Sequence, residues 1–395
     1  MGKYGSLIIK MAQTYVIFSA QYPPHMGGIE SFTRNMAYAL VEKGASVIVV
    51  TNDTNSIGMG IGVDSQVRVL RLSCFPFVDG RFPVAKHNGK NRNLWEWLEA
   101  QAVDGVLINA RFYLHSIAGM KYARRKGLTP IVLDHGSAHL SFSSPFLDPF
   151  VRMYEHAITL WGKRYKPAYY GISEKSSEWL RHFRIAAKGV IPNAIDANRY
   201  RNMSSGRDFR EELGLSDDQL IVSYVGRFIP EKGINSIIVA SKSHRLKELG
   251  VHFVLAGDGP LAPAVELAQG ESLHWVGRLS ASDVSALLQQ SDLLCLPTRS
   301  EGFSTILLEA AACGCPAVVT DVGGARELIP NNEYGTIIES MSATAVEAAV
   351  YQMVSQRSVL NKQSESIQEL VELGHAWANS ANKLCSAFVR ASERD

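Results

Sequence analysis

Two glutamates stand eight residues apart in the stretch EGFSTILLEA, one in a polar turn and one in the helix after it. Glu301 belongs to the turn that follows the apolar run SDLLCLP, and Glu309 lies about one and a half turns into a helix predicted over residues 304–313. Gly314 and Pro316 end that helix. The free N–H groups of its first turn favour a bound anion. A molecule with a phosphate and several hydroxyls would therefore suit this unit.

Two cations five residues apart follow another predicted strand. In QLIVSYVGRFIPEKG the strand ends at Gly226, and Arg227 and Lys232 come directly after it. A diphosphate carries negative charge, which a guanidinium together with an ammonium would stabilise. Either the acidic pair or the basic pair alone would also fit a solvated surface, so the hypothesis of a phosphate site depends on their combination.

The strand–helix–strand unit at the beginning of the chain predicts a parallel sheet. TYVIFSA and SVIVVTN are predicted strands, and the helix between them opens at Gly27 and Gly28. A glycine pair at a helix start after a strand fits a loop that approaches a phosphate, and it fits a simple tight turn as well.

Polar residues follow two further strands of the first half. Asn109 and Arg111 come after one strand, and Asp134, His135 and Ser137 after the next. Because ligands bind at the carboxyl ends of parallel strands, His135 is a candidate for the active site and Arg111 for contact with a ligand or its phosphate. A structural role is the alternative for each.

Length and composition predict a two-domain globular protein. A chain of 395 residues exceeds one ordinary core, and 46% hydrophobic with 20% charged residues is typical of globular domains. The net charge of +2 does not indicate nucleic acid. Between residues 81 and 188 basic residues are about twice as numerous as acidic ones, which fits either a surface for phosphate or anionic lipid or an ordinary solvated face.

Cysteines and apolar runs predict a reducing, cytoplasmic location. The five cysteines are odd in number and lack zinc-ligand spacing. No run reaches the roughly 18–20 apolar residues that span a bilayer, and Met11 is an alternative start. The aromatic and basic stretch over residues 144–166 is expected to be mostly core, with a peripheral membrane contact as the alternative.

Taken together, EGFSTILLEA, the pair Arg227 and Lys232, and the segment PPHMGGIE resemble the signature of the retaining glycosyltransferases of family 4 (glycosyl transferases group 1). The resemblance covers nearly the whole chain. It implies an α/β protein with the GT-B fold, in which two doubly wound Rossmann-like domains face a deep interdomain cleft. The implied domains are an acceptor-binding domain over residues 1–192 and a nucleotide-sugar-binding domain over residues 193–370. A last helix, 371–395, would return to the first domain.

The resemblance also implies roles for single residues. Arg227 and Lys232 would hold the diphosphate of a nucleotide sugar, and Glu309 its ribose. Glu301 would contact the transferred sugar, with His135 near the 6-position of that sugar. The implied donor contacts are completed by Gly27, Gly28, Gly226, Gly257, Gly259, Gly302, Phe303, Ser304 and Thr305. Asn109, Arg111 and Ser137 are the expected acceptor-side residues.

The implied reaction is transfer of a hexosyl group with retained configuration from a nucleotide-diphosphate donor, a UDP-sugar ahead of GDP-mannose, to a sugar or lipid-linked glycan acceptor. Bacterial surface polysaccharide or glycolipid synthesis is the expected context. The sequence has no Asp-x-Asp triplet, so neither a divalent metal nor another cofactor is expected. The family's mechanism keeps attack and departure on one face of the sugar.

Two other classes would share this fold. A nucleotide-sugar epimerase should lack the combined acidic and basic pairs. The intact pairs argue against a non-catalytic nucleotide-sugar-binding subunit, which turnover of a donor would distinguish. Ser304 and Thr305 stand where family members often have glycine and a branched apolar residue. Residues 57–93, which should shape the acceptor side, match nothing recognisable, so the acceptor is open.

Overall fold

Two mainly parallel sheets organise the chain, as the alternation of strand and helix patterns predicts. The structure, a computed structural model, describes residues 13–25, 27–78, 80–140 and 146–393. The alternative start at Met11 and the first residues of the aromatic stretch lie outside these ranges.

Contacts within the chain divide it into two units. The first holds the described residues of Met1–Asp134, Leu140–Tyr170 and Ala381–Asp395, and the second holds His135–His139 and Gly171–Ser380. The domains expected from the sequence were defined by the substrate that each would bind, and their bounds stay a prediction.

The first sheet lies in the first unit and is flanked by helices and a small hairpin. Its strands and those of the hairpin are β1 (Thr14–Phe18), β2 (Ser46–Asn52), β3 (Gly60–Asp64), β4 (Val67–Leu72), β5 (Cys74–Phe77), β6 (Phe82–Ala85), β7 (Gly105–Asn109), β8 (Ile131–Asp134) and β9 (Ala168–Gly171). The helices along this part of the chain are α1 (Gly28–Glu42), α2 (Gly89–Glu99), α3 (Leu114–Arg125) and α4 (Asp148–Lys163). The sheet order is β3-β4-β2-β1-β7-β8-β9, and β5 pairs with β6. Strand β3 is antiparallel to β4, whereas β4, β2, β1, β7 and β8 run parallel.

Burial explains why the predicted strand–helix–strand unit forms. Strands β1, β2 and β7 are almost continuously apolar because helices cover both faces of the sheet. Helix α1 buries Phe32, Met36, Ala39 and Leu40 along one stripe, as its spacing predicts.

Residues 57–93 contain more structure than the sequence suggested. They form β3, β4, the β5–β6 hairpin and the beginning of α2. The pattern of β4, VRVLRL, is irregular because Arg68 and Arg71 interrupt buried apolar residues. Both arginines extend to polar partners: Arg68 donates to Gln101 and Ser46, and Arg71 to the carbonyl oxygen of Pro23.

The expectation that the aromatic stretch is mostly core was wrong for three of its aromatic side chains. Phe146, Phe150 and Trp161 are 85%, 66% and 43% exposed. Helix α4 buries its opposite side instead, including Glu155 and Ile158.

The second unit is built around the second sheet. Its strands are β10 (Leu220–Val225), β11 (Val251–Ala256), β12 (Leu273–Trp275), β13 (Leu293–Leu296), β14 (Ala317–Thr320) and β15 (Gly335–Ile338). Its helices are α5 (Glu174–Trp179), α6 (Ala197–Asn202), α7 (Phe209–Leu213), α8 (Ile234–Ala240), α9 (His244–Glu248), α10 (Ala262–Ala268), α11 (Ala281–Gln290), α12 (Thr305–Ala312), α13 (Ala325–Leu328), α14 (Ala343–Val354) and α15 (Arg357–Gly374). The sheet order is β12-β11-β10-β13-β14-β15.

Side chains on the two faces of this sheet enter separate cores. In β10, Val222 and Tyr224 pack into the larger core with Phe253, whereas Ile221 packs with Val254 on the other face. All the pairings along this sheet are parallel, for example between β10 and β13 and between β13 and β14. Parallel strands buried on both faces explain why their sequences are apolar runs without alternation.

The last helix, α16 (Trp377–Ser392), buries Ala381, Leu384 and Phe388. Its later residues belong to the first unit, where the Phe388 ring stacks on Tyr15 at 4.7 Å between centroids. All five cysteines are free. Among the described residues, none of the helices combines the length and the apolar character that a membrane span requires.

Candidate functional site

The predicted acidic and basic pairs lie at the point where the second sheet reverses its strand order. The chain adds β11 and β12 on one side of β10 and then crosses to place β13, β14 and β15 on the other side. The loops that leave β10 and β13 therefore diverge, and this opening at the carboxyl ends of the strands is where open α/β sheets bind ligands.

Lys232 and Glu301 meet at this opening. Lys232 ends a short 3₁₀ turn after β10, and its ammonium forms an ion pair with Oε1 of Glu301 from the loop after β13. The two side chains are 22% and 20% exposed. The loops approach closely at Gly233, which has a φ of +73° and where a Cβ would lie 2.2 Å from the carbonyl oxygen of Pro297.

Arg227 belongs to the same loop as Lys232, and its side chain is exposed to solvent. The Tyr224 hydroxyl donates to the carbonyl oxygen of Arg227 at 2.9 Å, which fixes the backbone directly after β10. Within the described part of the chain its guanidinium forms no ion pair, so its charge is available to an anion.

The loops after β10 and β11 are held together by glycine. A Cβ on Gly257, whose φ is +145°, would lie 1.9 Å from the carbonyl oxygen of Gly226. A Cβ on Gly259 would lie 2.7 Å from the carbonyl oxygen of Phe228. Trp275 also donates from its indole nitrogen to the carbonyl oxygen of Gly257 at 3.0 Å. The predicted glycines therefore allow the backbones of the loops after β10 and β11 to contact each other, and Trp275 at the end of β12 contacts the same backbone.

Residues 135–139 contact the turn at Glu301 and Gly302 and hold it in place. Ser137 donates from its hydroxyl to the carbonyl oxygen of Glu301, and a Cβ on Gly302 would lie 1.7 Å from the carbonyl oxygen of His135. Ser173, which also caps α5, donates to the carbonyl oxygen of Gly302 at 2.9 Å. Burial lowers the pKa of His135 to about 3, so its ring is neutral at physiological pH.

Helix α12 begins at this turn. Ser304 is its N-cap residue, but the Ser304 hydroxyl makes no capping bond, and Thr305 is exposed at the first helical position. First-turn N–H groups that lack a side-chain cap are donors for an anion. Phe303 packs its ring against Gly324, where a Cβ would lie 2.4 Å from the ring.

Glu309 is positioned by a tyrosine that the sequence did not single out. The Tyr200 hydroxyl donates to Oε2 of Glu309 at 3.0 Å. Burial raises the pKa of Glu309 above its ordinary value, and the bond from Tyr200 partly opposes this rise. The two residues are 109 positions apart, so no local signal in the sequence connects them.

The predicted residues of the first unit are placed differently from their expected roles. Asn109 and Arg111 are 1% exposed. Asn109 donates to the Thr33 hydroxyl at 2.7 Å, and Arg111 donates to Glu155 at 2.5 Å and to Asp134 at 3.4 Å. These side chains are therefore engaged inside the first unit.

The glycine pair at α1 adopts backbone conformations that are open to other residues as well. Gly27 is extended, with a φ of −179°, and Gly28, the first residue of α1, is not in the left-handed region. Gly28 instead offers open space, since a Cβ there would meet nothing within 4 Å.

Comparison with known proteins adds independent findings. The family model "Glycosyl transferases group 1" matches residues 206–370, and "Glycosyltransferase Family 4" matches residues 26–199. TuaC of Bacillus subtilis strain 168, which is named as a teichuronic acid biosynthesis glycosyltransferase, is 29% identical over 208 residues. That match covers 51% of this chain and 52% of the relative, about half of each.

Solved structures resemble the chain over nearly its whole length. Sucrose-phosphate synthase from Thermosynechococcus elongatus has a TM-score of 0.72 at 19% identity, over 97% of this chain and 100% of that one. Anabaena Alr3699/HepE, solved in complex with UDP, has a TM-score of 0.70 at 16% identity, over 96% and 100%. These likenesses show the predicted two-domain GT-B fold. With both family models matched, the chain belongs to the glycosyltransferases of group 1 and family 4.

Proposed function

We propose that this chain moves a hexosyl group from a nucleotide-diphosphate donor to an acceptor hydroxyl with retained configuration. The observation that carries the proposal is the Lys232–Glu301 ion pair at the switch point of the second sheet, next to the uncapped start of α12. It combines a cation, a carboxylate and free N–H donors, which are the groups that a sugar diphosphate requires.

The diphosphate binds to Lys232 and Arg227 in this proposal. Without donor, Lys232 is neutralised by Glu301. An arriving diphosphate competes for the ammonium, and Glu301 is then released to accept bonds from the hydroxyls of the transferred sugar. Arg227, which is already exposed, needs no such exchange. The positive charge stabilises the leaving diphosphate as its bond to the sugar breaks.

The nucleoside binds along the neighbouring loops. Glu309 accepts from the ribose hydroxyls, with its orientation fixed by Tyr200. Backbone groups at Gly226, Gly257 and Gly259 approach the nucleotide, and those from Gly302 through Phe303 and Ser304 to Thr305 approach sugar and phosphate.

The remaining roles are proposed for the 135–139 segment and the first unit. His135, neutral because of its lowered pKa, lies near the 6-position of the sugar, and Ser137 fixes the Glu301 backbone. Gly27 and Gly28 allow a phosphate to approach the start of α1. Asn109 and Arg111 support the acceptor side by holding its loops rather than by contact, since both are buried.

In the proposed step, the bond between the anomeric carbon and the phosphate oxygen breaks while a bond to the acceptor oxygen forms on the same face. The acceptor's proton passes to the departing phosphate. No divalent metal or cofactor is needed, because Arg227, Lys232 and helix N-termini supply the positive charge.

A UDP-sugar is the proposed donor, a sugar or lipid-linked glycan is the proposed acceptor, and bacterial surface polysaccharide or glycolipid synthesis is the proposed context. Two observations support these choices: HepE was solved with UDP, and TuaC is named for teichuronic acid biosynthesis.

A donor panel tests this function. Purified protein would be incubated with a metal chelator and, separately, UDP-glucose, UDP-galactose, their N-acetyl forms, UDP-glucuronate or GDP-mannose, and the released nucleotide measured. We expect release from one UDP-sugar, with the free sugar first appearing in the donor's anomeric form. Release from GDP-mannose alone would overturn the donor assignment, and inverted product would overturn retention. If no donor turns over and neither UDP nor GDP raises the thermal midpoint, the proposal fails.

A further inference from the structure

Helix α4 of the first unit presents a row of large apolar side chains to solvent. Phe150, Met153 and Leu160 are 66%, 64% and 67% exposed, and Phe146, two residues before the helix, is 85% exposed. Trp161 is 43% exposed. Their spacing places them along one side of the helix. We call these five residues the α4 apolar face.

The buried side of the helix fixes this orientation. Glu155, 1% exposed, accepts from Arg111 at 2.5 Å, and Ile158 is 3% exposed. Gly162 lies against α3, where a Cβ would come within 3.1 Å of the sulfur of Met120. The helix is therefore anchored in the first unit with its apolar face outward, and rotating it would break a buried ion pair.

The exposed arginines and lysine on α4 and directly after it give this part of the described chain a positive charge. Arg152 lies on the exposed side of the helix, and Arg164 and Lys166 are exposed directly after it. Of the acidic residues of α4, Glu155 is buried against Arg111 and Asp148 is in the first turn. Apolar side chains bordered by cations complement an anionic bilayer surface, because the apolar groups enter the acyl boundary while the cations meet headgroup phosphates. Tryptophan is favoured at that boundary.

A second copy of the chain fits this surface less well. A two-fold interface would use the same face of both copies and would bring Arg152 and Arg164 of one copy close to those of the other. Like charges at a closing interface are unfavourable, whereas anionic headgroups would neutralise them.

We propose that the α4 apolar face binds an anionic lipid bilayer, with α4 lying in the plane of the interface and Phe150, Met153 and Leu160 inserted below the headgroups. This goes beyond the proposed transfer reaction and needs no nucleotide sugar. It gives the enzyme a fixed position at the surface where a lipid-linked acceptor would be found.

Co-sedimentation of the full chain with vesicles tests the proposal. The vesicles would contain phosphatidylcholine with about 30% phosphatidylglycerol, which supplies the anionic surface. We expect the wild type to sediment, and the double variant Phe150→Ser/Leu160→Ser to lose roughly tenfold or more of its partition coefficient. Arg152→Gln/Arg164→Gln should lose a comparable factor, as should the wild type on pure phosphatidylcholine. Leu267→Ser, at a side chain 88% exposed in the second unit, is the matched control and should bind as the wild type does.

Two results would overturn the proposal. One is wild-type protein that stays in the supernatant, and the other is Phe150→Ser/Leu160→Ser protein that sediments like the wild type. Self-association that this variant abolishes, without vesicle binding, would assign the face to a second copy. A thermal midpoint matching the wild type's would show that the variant folds. Its hydrolysis of a soluble donor should be unchanged, so failure of the membrane proposal is distinguishable from failure of the proposed function.

Discussion

At the scale of single residues, the site depends on two carboxylates held in different ways. Glu301 is ion-paired with Lys232, whereas Glu309 is half-buried and accepts from the neutral hydroxyl of Tyr200. The first pair can exchange partners when a diphosphate arrives. The second is a fixed acceptor whose ionisation is opposed by burial.

Removing the tyrosine hydroxyl should weaken donor binding more than catalysis. In Tyr200→Phe, Glu309 loses the bond that orients its carboxylate, and we expect the donor KM to rise roughly tenfold, the effect of losing one hydrogen bond to a charged group. Steady-state kinetics with the donor identified by the panel would measure this. Tyr334→Phe, at a half-buried tyrosine of the same unit, should leave KM unchanged. An unaltered KM in Tyr200→Phe would remove the positioning role.

The raised pKa of Glu309 predicts a pH dependence of nucleotide binding. Only the ionised carboxylate accepts from both ribose hydroxyls, so UDP affinity should fall as the pH drops through the Glu309 pKa. Because burial raises that pKa, the loss should begin at a higher pH than an ordinary glutamate would give. Calorimetric titration of UDP across pH would show it, and Glu309→Gln should bind weakly without this step. The same pH step in the variant would assign it to another group.

At the scale of elements, the loops after the strands of the second sheet are fixed by close backbone approach. Gly233, Gly257 and Gly302 each stand where a Cβ would lie about 2 Å from a carbonyl oxygen. The sequence predicts most of these elements because buried parallel strands are apolar runs and glycines end or open the helices. It could not predict that the segment around His135 packs on Gly302, since that contact joins parts of the chain far apart in sequence.

Adding a side chain at position 302 should disable the site. In Gly302→Ala the new methyl group would collide with the carbonyl oxygen of His135, so the turn carrying Glu301 must move. We expect donor turnover to fall roughly 100-fold, because misplacing a substrate-binding turn by about 1 Å has such effects. Gly270→Ala is the control, since a Cβ there meets nothing within 4 Å. Normal turnover in Gly302→Ala would show that the turn is not needed in its present position.

Helix α3 should make the first unit sensitive to acid. His115 is buried next to Val50, whose carbonyl oxygen lies 2.9 Å from its ring nitrogen, and burial lowers its pKa to about 4. The unfolded chain binds a proton near pH 6.5 and the folded protein only near pH 4, so stability is lost as the pH falls between these values. From pH 7.5 to 5.0 the loss should be about 2 kcal/mol.

Urea denaturation of His115→Gln at both pH values would check this loss. The variant should be less stable at pH 7.5 but lose less on acidification, whereas His87→Gln, at an exposed histidine, should keep the wild-type slope. An equal loss in His115→Gln and the wild type would contradict the assignment.

At the scale of the whole molecule, the sequence predicted the fold class better than the surface. Two α/β halves follow from length and periodicity, and both family models match. The aromatic stretch was misjudged because amphipathic spacing does not tell which side of a helix is buried. That choice is made by Glu155 and Arg111, whose ion pair turns the aromatic side of α4 outward. Arg111 was expected to contact the acceptor or a phosphate because it follows a strand. The end of a strand predicts where a residue lies in the sheet, but it does not tell whether an acidic partner within the unit already pairs with that residue.

The measurement that tests the central claim most directly is nucleotide release by Lys232→Ala beside Lys242→Ala. Both variants remove one ammonium from the second unit, but Lys242 is exposed at the end of α8, away from the loops that leave β10 and β13. With saturating donor, we expect Lys232→Ala to fall roughly 100-fold or more, as when a single group that stabilises transition-state charge is lost. Lys242→Ala should stay within about twofold, as is usual for surface substitutions. Equal rates in the two variants would contradict the assignment of the donor diphosphate to the Lys232–Glu301 opening.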